Sequence, residues 1–230
     1  MHNALQTMPV KTDRNDARGI AQLMRLGWFR PVHCKSIAAQ ETRALLTARK
    51  LVQVKLHDIE LSLRGILRGF GLKVKVGPTT PARFEGRIRE LVAGHPSLEA
   101  IAESLLAVRV TLRREFDRFE KQLRTMARCD TRARLLTSVP GVGAIVSLTF
   151  TAAIDDPARF KSSKQVGPYF GLTPTKYQSG ETDIDGRISK IGDAWVRAAL
   201  YESANIILTK PLKGCTALKS WAMKLAGGAG

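Results

Sequence analysis

The sequence lacks the features that would suggest a disulfide-rich, zinc-binding or membrane protein. Its 3 cysteines are far apart and form no CxxC pair, and its 4 histidines show no zinc-like spacing. This use of cysteine is typical of a reducing compartment. The longest mainly apolar run, residues 144–154, is shorter than the roughly 18–20 residues that a membrane-spanning helix needs. These absences predict a cytoplasmic protein with no membrane partner.

Acidic residues are scarce compared with basic ones. The chain has 37 Lys and Arg against 20 Asp and Glu, which gives a net charge of +17 and an isoelectric point near 10.4. A protein this basic usually binds a polyanion. Nucleic acid is therefore the favoured partner, although charge alone does not separate a DNA-binding protein from a ribosome-associated one.

Two long heptad patterns occupy the middle of the chain. Apolar residues recur at steps of three and four from Leu45 to Phe70 and again from Leu98 to Met126, with a glycine- and proline-rich segment between them. This arrangement predicts a mainly α fold with a long antiparallel helical hairpin, or coiled coil, over residues 34–130. We expect the chain to form a homo-oligomer through this hairpin. Among the positions that the patterns place in the buried seam are Ile66, Phe70, Ile101 and Val108.

A stripe of basic residues lies on the second helix, away from its apolar seam: Arg114, Arg118, Lys121 and Arg128. Their spacing puts them on one face of a helix. Such a face is either simply solvated or in contact with a nucleic-acid backbone, and both interpretations stay open.

Beyond Asp130 the composition shifts to glycine, proline, serine and threonine, which predicts a second, small helical domain over residues 131–230. Pro140-Gly141-Val142-Gly143 has the form of a helix-hairpin-helix element. Glycines here permit positive φ and let a phosphate approach the amides at the start of the next helix. Gly141 and Gly143 are therefore candidate DNA-backbone contacts, and a tight turn without a ligand is the alternative.

Ser179 is a possible nucleophile in a segment that does not resemble a helix. Residues 173–178 are too rich in proline and β-branched side chains for a helix interior, and residues 181–186 are predicted to form a turn. A serine hydroxyl needs activation by a base, a metal or cations, so the residues alone favour an inert loop serine. Lys190 and Arg197 flank the start of the following helix, where they could position a phosphate.

Asp13 and Asp16 are a pair of carboxylates at the start of a helix that Thr12 is predicted to cap and that should end at Gly27. Their spacing puts them on one helix face, where two oxygens could hold one edge of an Mg²⁺ ion. Acidic residues at a helix start also compensate the helix dipole. From the residues alone, that second interpretation is favoured.

These motifs occur in an order that resembles a known family. The ordered set, with the long helical region after its first member, is Lys11-Thr12-Asp13-Arg14-Asn15-Asp16-Ala17, Pro140-Gly141-Val142-Gly143, Arg159-Phe160, Tyr169-Phe170-Gly171-Leu172-Thr173-Pro174, Gln178-Ser179-Gly180 and Lys190-x-Gly192. Over nearly the whole chain it resembles the transposases of the insertion-sequence-110 family, the bridge-RNA-guided recombinases of mobile elements.

The resemblance implies DNA transposition and recombination by serine attack on a DNA phosphodiester. It implies an RNase-H-like domain with a four-carboxylate Mg²⁺ site, a coiled coil, and a C-terminal transposase domain with the catalytic serine. Ser179 matches that serine, and Asp13 and Asp16 match the last two of the four acids, as catalytic residues and Mg²⁺ ligands. The implied partners are DNA and a guide RNA, in the cytoplasm of a bacterium and associated with the nucleoid.

Part of the family pattern is unmatched. The first two acids of the family lie upstream of the Asp-x-x-Asp motif, and only 12 residues precede Asp13. We therefore expect an N-terminally truncated copy in which residues 1–33 are a remnant of the RNase-H-like domain and activity of the chain alone is impaired. The alternative function is a non-catalytic DNA- or RNA-binding remnant that joins or interferes with an intact transposase.

Overall fold

The chain divides into two compact units, residues 1–35 and residues 36–230. The computed structural model describes residues 12–29, 31–74, 80–211 and 214–227. The three predicted domains, 1–33, 34–130 and 131–230, stay a prediction.

In the first unit, α1 (Asp13–Arg25) has the predicted start and end. The Thr12 hydroxyl accepts a hydrogen bond from the Asn15 amide at 3.2 Å, which satisfies one of the free amides at the helix start. Gly27 follows the helix with a φ of 72°, as is typical of glycine just after a helix. Both boundaries are confirmed.

The second unit is mainly helical, which confirms the predicted fold class. Among the described residues, none of the helices combines the length and the hydropathy that a membrane span requires. Two short 3₁₀ turns, Pro157–Arg159 and Ser163–Gln165, lie between α6 and α7. The elements in chain order are α2 (Ile37–Gly69), α3 (Pro81–Val92), α4 (Pro96–Cys129), α5 (Thr131–Leu136), α6 (Ala144–Ile154), α7 (Val166–Tyr169), β1 (Pro174–Ser179), β2 (Thr182–Ile188), α8 (Ala194–Thr209) and α9 (Thr216–Gly227).

The long helices α2 and α4 run antiparallel along each other. Leu63 and Leu67, near the end of α2, pack with Leu98 near the start of α4. Leu46, near the start of α2, packs with Leu123 near the end of α4. Because the end of one helix contacts the start of the other at both ends of the pair, the two helices run in opposite directions.

The buried face of this helix pair matches the predicted seam only in part. Leu56, Leu63, Leu98 and Leu123 belong to the predicted seam and are buried. Leu67 and Leu106 are buried, one position along from residues assigned to the seam, and one position turns a helix by about 100°. The cause is α3, because its Phe84 and Ile88 join the same core and make α2 and α4 face a third helix as well as each other. The positions predicted to be buried but found exposed are Ile66, Phe70, Ile101 and Val108.

A buried ion-pair network joins these three helices. Arg109 on α4 is 3% exposed and contacts Glu60 of α2 at 2.8 Å and Glu85 of α3 at 2.7 Å. Its guanidinium also lies 4.5 Å from the centre of the Phe84 ring. Because an unpaired buried charge is costly, the network favours this one arrangement of the three helices.

The other end of the helix pair carries α5 and α6. Ala133 and Leu148 pack with Leu123 in one buried cluster. Asp155, which follows α6 with a φ of 63°, accepts hydrogen bonds from the Ser36 amide and hydroxyl at 2.8 and 2.6 Å. The end of α6 is thereby attached to the start of α2.

Residues 174–188 form an antiparallel β-hairpin, so the prediction of a turn over 181–186 is wrong. The strands β1 and β2 pair from Ser179–Thr182 to Pro174–Ile188, and the turn is confined to Gly180 and Glu181. Alternating Thr, Tyr and Ile side chains favour the extended chain on both sides. Glycine at φ 57° permits the tight reversal.

Candidate nucleic-acid interface

Ser179 is the last residue of β1 and lies at the exposed tip of the β-hairpin. It pairs with Thr182 across a loop of two residues. Gly180 has a positive φ of 57°, whereas Glu181 does not have a positive φ, which is the pattern of a type II′ turn. The tight turn therefore leaves the Ser179 hydroxyl exposed directly beside the loop of the hairpin.

The two faces of the hairpin differ in chemistry. Since side chains alternate along a strand, Ser179 shares its face with Tyr177 and with the partner of Tyr177, Ile184. On the other face, the Lys176 ammonium lies 3.6 Å from Asp183 and 3.9 Å from Asp185. The serine therefore lies on an exposed face with apolar neighbours, and the acidic side chains are opposite, next to a lysine.

At the base of the hairpin, the chain segments around Gly171 and Gly192 approach each other closely. We call this contact the glycine crossing. A Cβ on Gly171 would lie 2.1 Å from the Ile191 carbonyl oxygen, and one on Gly192 would lie 2.3 Å from the Tyr169 carbonyl oxygen. The Lys190 amide donates to the Gly171 carbonyl at 3.1 Å. The structure thus brings together two motifs that are separate in the sequence, 169–174 and 190–192.

Lys190 and Arg197 both lie at this glycine crossing. Lys190 is exposed and has a φ of 54°, which is uncommon for a residue with a side chain. Arg197 Nη1 donates to the Phe170 and Gly192 carbonyls, each at 3.1 Å. Arg197 therefore stabilises the crossing, and a phosphate contact by either side chain stays a prediction.

The Arg159-Phe160 motif packs beside the same crossing. The Arg159 guanidinium lies 4.6 Å from the centre of the Phe160 ring and 4.4 Å from that of Tyr169. Phe170, next to Gly171, is fully buried with Val196 of α8. Three of the ordered motifs thus form one packed base beneath the hairpin.

Gly141 and Gly143 have different surroundings. Gly141 has a φ of 86°, and a Cβ there would lie 3.0 Å from Ile207 Cγ1 and 3.1 Å from the Ser203 carbonyl oxygen. Gly141 therefore allows the turn to approach α8 closely. Gly143 is exposed, has open space around it, and precedes α6 without a side-chain cap. Of the two, Gly143 leaves more room for a phosphate.

The predicted basic stripe on α4 is exposed, but two of its members share an acidic neighbour. Arg114 Nε and Arg118 Nη2 lie 3.4 Å and 2.8 Å from Glu115. Lys121 is exposed in the next turn. Surface ion pairs of this kind are weak, so the stripe keeps most of its capacity to contact a polyanion.

Asp13 and Asp16 lie in the first turn of α1, within the first unit. Asp13 is exposed and Asp16 is half-buried, and the Asp16 amide donates to the Thr12 carbonyl at 2.9 Å. Lys11, the first residue of this motif, lies outside the described residues. Within the described ranges, no group of three or more His, Cys, Asp or Glu side chains could hold a metal ion.

One functional-looking contact was missed by the sequence analysis. Asp193 caps α8 by accepting from the Trp195 amide at 2.9 Å and also binds the Arg43 guanidinium of α2 at 2.5 Å. Burial raises the pKa of Asp193, but the hydrogen bond and charge of Arg43, together with the α8 amides, outweigh this effect and hold the pKa below its usual range. An aspartate just before a helix is a local signal for a cap, whereas its partner 150 residues away has no local signal.

Comparison with known proteins gives a consistent result. Residues 133–214 match the family described as Transposase IS116/IS110/IS902 family. The chain is 28% identical over 220 residues to the transposase for insertion sequence element IS1111A of Coxiella burnetii, covering 93% of this chain and 59% of that protein. It is 26% identical over 201 residues to a probable family 20 transposase of Pseudomonas aeruginosa, covering 86% and 60%.

A shorter stretch is similar to a protein whose name does not mention transposition. Over 77 residues the chain is 35% identical to the pilin gene-inverting protein of Moraxella bovis. The matched stretch covers 33% of this chain and 24% of that protein. The chain spans between 53% and 60% of the length of the first curated relatives it matches.

Proposed function

We propose that this chain, which belongs to the IS116/IS110/IS902 transposase family, takes part in DNA transposition by binding DNA and presenting Ser179 to a phosphodiester. The observation that carries the role of Ser179 is its position at the exposed tip of the β-hairpin. An exposed hydroxyl in that position can reach the backbone of a duplex.

In the proposed reaction, Ser179 Oγ attacks the phosphorus of a DNA phosphodiester. A phosphorus–oxygen bond to the serine forms, and the bond from phosphorus to one deoxyribose oxygen breaks. The serine hydroxyl loses its proton, and the departing deoxyribose oxygen takes one up. Lys190, exposed at the base of the hairpin, is the proposed partner of the charge on the phosphate.

The net charge of +17 supports DNA binding through the phosphate backbone. Gly143 is the best supported of the proposed contacts, because the amides and dipole at the start of α6 favour an anion there. A guide RNA would bind through the same electrostatic attraction and is part of the proposal. The remaining proposed contacts are Gly141, Lys190, Arg197, Arg114, Arg118 and Lys121.

Asp13 and Asp16 are the proposed Mg²⁺ ligands, and Mg²⁺ would activate the phosphodiester. They supply two carboxylates from one helix turn, and Mg²⁺ needs six oxygen ligands. The described residues therefore do not fit a four-carboxylate site, and we derive no catalytic step through the metal. We propose instead that strand cleavage needs further acidic ligands from an intact transposase of the same family.

A second candidate function follows from the presence of only two candidate Mg²⁺ ligands, Asp13 and Asp16, among the described residues. A chain with DNA-binding surfaces and two of the acids could act without catalysis, by joining the oligomer of an intact transposase. The two candidates differ in whether Ser179 ever becomes bonded to DNA.

The test is a search for a covalent protein–DNA adduct. The purified chain is incubated with Mg²⁺ and labelled DNA carrying the ends of a family element, with and without a full-length relative. Adducts of the two proteins separate by size on a denaturing gel, since this chain has a mass of 25.3 kDa. We expect an adduct of this chain only when the relative is present, and we expect Ser179→Ala to abolish it.

Ser162→Ala is the matched control, because Ser162 is also an exposed serine of the second unit, and it should leave the adduct unchanged. An adduct that survives Ser179→Ala would contradict the assignment of the serine. An adduct formed by the chain alone would contradict the need for an intact transposase. DNA binding without any adduct would favour the second, non-catalytic function.

A further inference from the structure

A cavity lined by arginines lies where α4, α5 and the start of α6 meet. Its volume is about 280 Å³, and the described residues that line it include no carboxylate. We call it the arginine pocket. Its lining consists of Arg124, Ala127, Arg128, Arg134, Thr137 and Ala144.

The fold forces these like charges together. Arg124 and Arg128 are one turn apart on α4, so their side chains share a face. Asp130 caps α5 by accepting from the Arg132 and Ala133 amides at 2.7 and 3.0 Å, which turns the chain back at the end of α4. The buried Ala133 then packs against Ala127, and Arg134 follows directly.

Little of this positive charge is neutralised within the described part of the chain. Arg124 Nη2 lies 3.2 Å from Glu120, but Glu120 is shared with Arg49 of α2. Arg128 and Arg134 have no ion pair with a described residue. Like charges one helix turn apart destabilise a helix, so a cluster of this kind suggests an anionic ligand.

The remaining wall of the pocket also suits an anion. Ala144 is the first residue of α6, and Gly143 before it provides no side-chain cap. The first amides of α6 are therefore free of a capping side chain, and their N–H groups carry the positive end of the helix dipole. Arginine forks bind the oxygens of a phosphate in pairs.

We infer that the arginine pocket holds one backbone phosphate of duplex DNA, with Arg128 and Arg134 as its principal contacts. This inference rests on the proposed DNA-binding function. It adds Arg134 to Arg128 of the basic stripe and to the start of α6, and it joins the three in one site. The phosphate lies where α4 and α5 meet the start of α6, so DNA bound there contacts both the helix pair and α6. Arg124 contributes less, because it also contacts Glu120.

The test measures affinity for a 30-base-pair DNA duplex by fluorescence anisotropy at a series of NaCl concentrations, using the whole chain. For B-DNA each neutralised phosphate contributes about 0.9 to the slope of log K against log salt. We expect Arg128→Gln/Arg134→Gln to reduce that slope by about 1 and to weaken binding roughly tenfold at 100 mM NaCl. Both side chains are exposed, and a thermal melt checks that the variant folds.

Arg68→Gln/Arg83→Gln is the matched control, because it removes the same charge from exposed positions near the opposite end of the helix pair. It should change the slope by less than half as much. An unchanged slope in the pocket variant, or an equal loss in the control, overturns the inference while leaving DNA binding in place. A chain that binds no DNA duplex overturns both, and a loss seen with an RNA duplex and not with DNA overturns the choice of ligand.

Discussion

At the residue scale, the glycine crossing beneath the β-hairpin depends on a position that tolerates no side chain. Gly171 has a φ of 65°, and a Cβ there would lie 2.1 Å and 2.4 Å from the Ile191 oxygen and nitrogen, both backbone atoms that cannot rotate away. We expect Gly171→Ala to lower the free energy of unfolding by about 3 kcal/mol or more, through strain and separation of the two segments. Denaturant unfolding followed by circular dichroism measures the change.

Gly180 provides the matched control at the other end of the same hairpin. Its φ is also positive, 57°, but a Cβ there would meet nothing within 4 Å. Gly180→Ala should therefore cost only the backbone penalty of a left-handed residue, about 1–2 kcal/mol. An equal decrease in the free energy of unfolding at both positions would show that the positive φ alone explains the effect. The close approach of Ile191 to Gly171 would then contribute nothing further.

Residue-scale prediction from the sequence was good where the signal is local. Thr12 and Gly27 mark the ends of α1 as predicted, because a capping oxygen and a terminal glycine act on neighbouring backbone groups. The Arg43–Asp193 ion pair could not be predicted, since it joins residues 150 positions apart. The roles of Ser179 and of the proposed phosphate contacts stay predictions that depend on the family resemblance.

At the element scale, the sequence predicted the long helices but only part of the face that each one buries. A heptad pattern describes a helix that packs on one partner, whereas α2 and α4 also pack on α3 through Phe84 and Ile88. The β-hairpin was missed for a related reason. A two-stranded hairpin depends on cross-strand pairs such as Tyr177–Ile184. These pairs can be predicted only when the position of the turn is known.

The Arg43–Asp193 ion pair joins α2 to α8 and predicts a dependence of stability on acid. The folded state holds the pKa of Asp193 below its usual range, so the pair stabilises the fold fully above the unfolded pKa of about 3.9. That stability is lost as the pH falls below about 4 and through the folded pKa. Asp193→Asn keeps a capping side chain, so it removes chiefly the charge.

We expect Asp193→Asn to reduce the free energy of unfolding by about 1 kcal/mol at pH 6. The difference from the unmodified chain should shrink between pH 4 and pH 2, measured by urea unfolding at each pH. Asp117→Asn removes an exposed carboxylate of α4 and should give a difference that is small at every pH. A gap between Asp193→Asn and the unmodified chain that is the same at pH 6 and pH 2.5 would rule out the ion pair as its source.

At the scale of the whole molecule, excess positive charge and exposed apolar surface both indicate partners. The net charge of +17 opposes self-association by repulsion, and bound DNA would relieve it. The helix α2 nevertheless exposes a row of apolar residues at heptad-like steps, with Leu51, Val54 and Leu61 exposed by 58%, 40% and 52%. We propose that a second copy of the chain covers this row, which agrees with the predicted homo-oligomer through the helical hairpin.

The proposed oligomer should depend on Leu51 and Leu61, because each would bury a leucine side chain worth about 1.5–3 kcal/mol. Leu51→Glu/Leu61→Glu should raise the dissociation constant at least roughly a hundredfold. Size-exclusion chromatography with light scattering should then give the 25.3 kDa mass of one chain where the unmodified chain gives a multiple of it. Gln53→Glu/Ser62→Glu adds the same charge at exposed polar positions of α2 and should keep the oligomer. A single-chain mass for the unmodified protein at high concentration, or an oligomer that persists in the leucine variant, would show that this row is not the contact between copies.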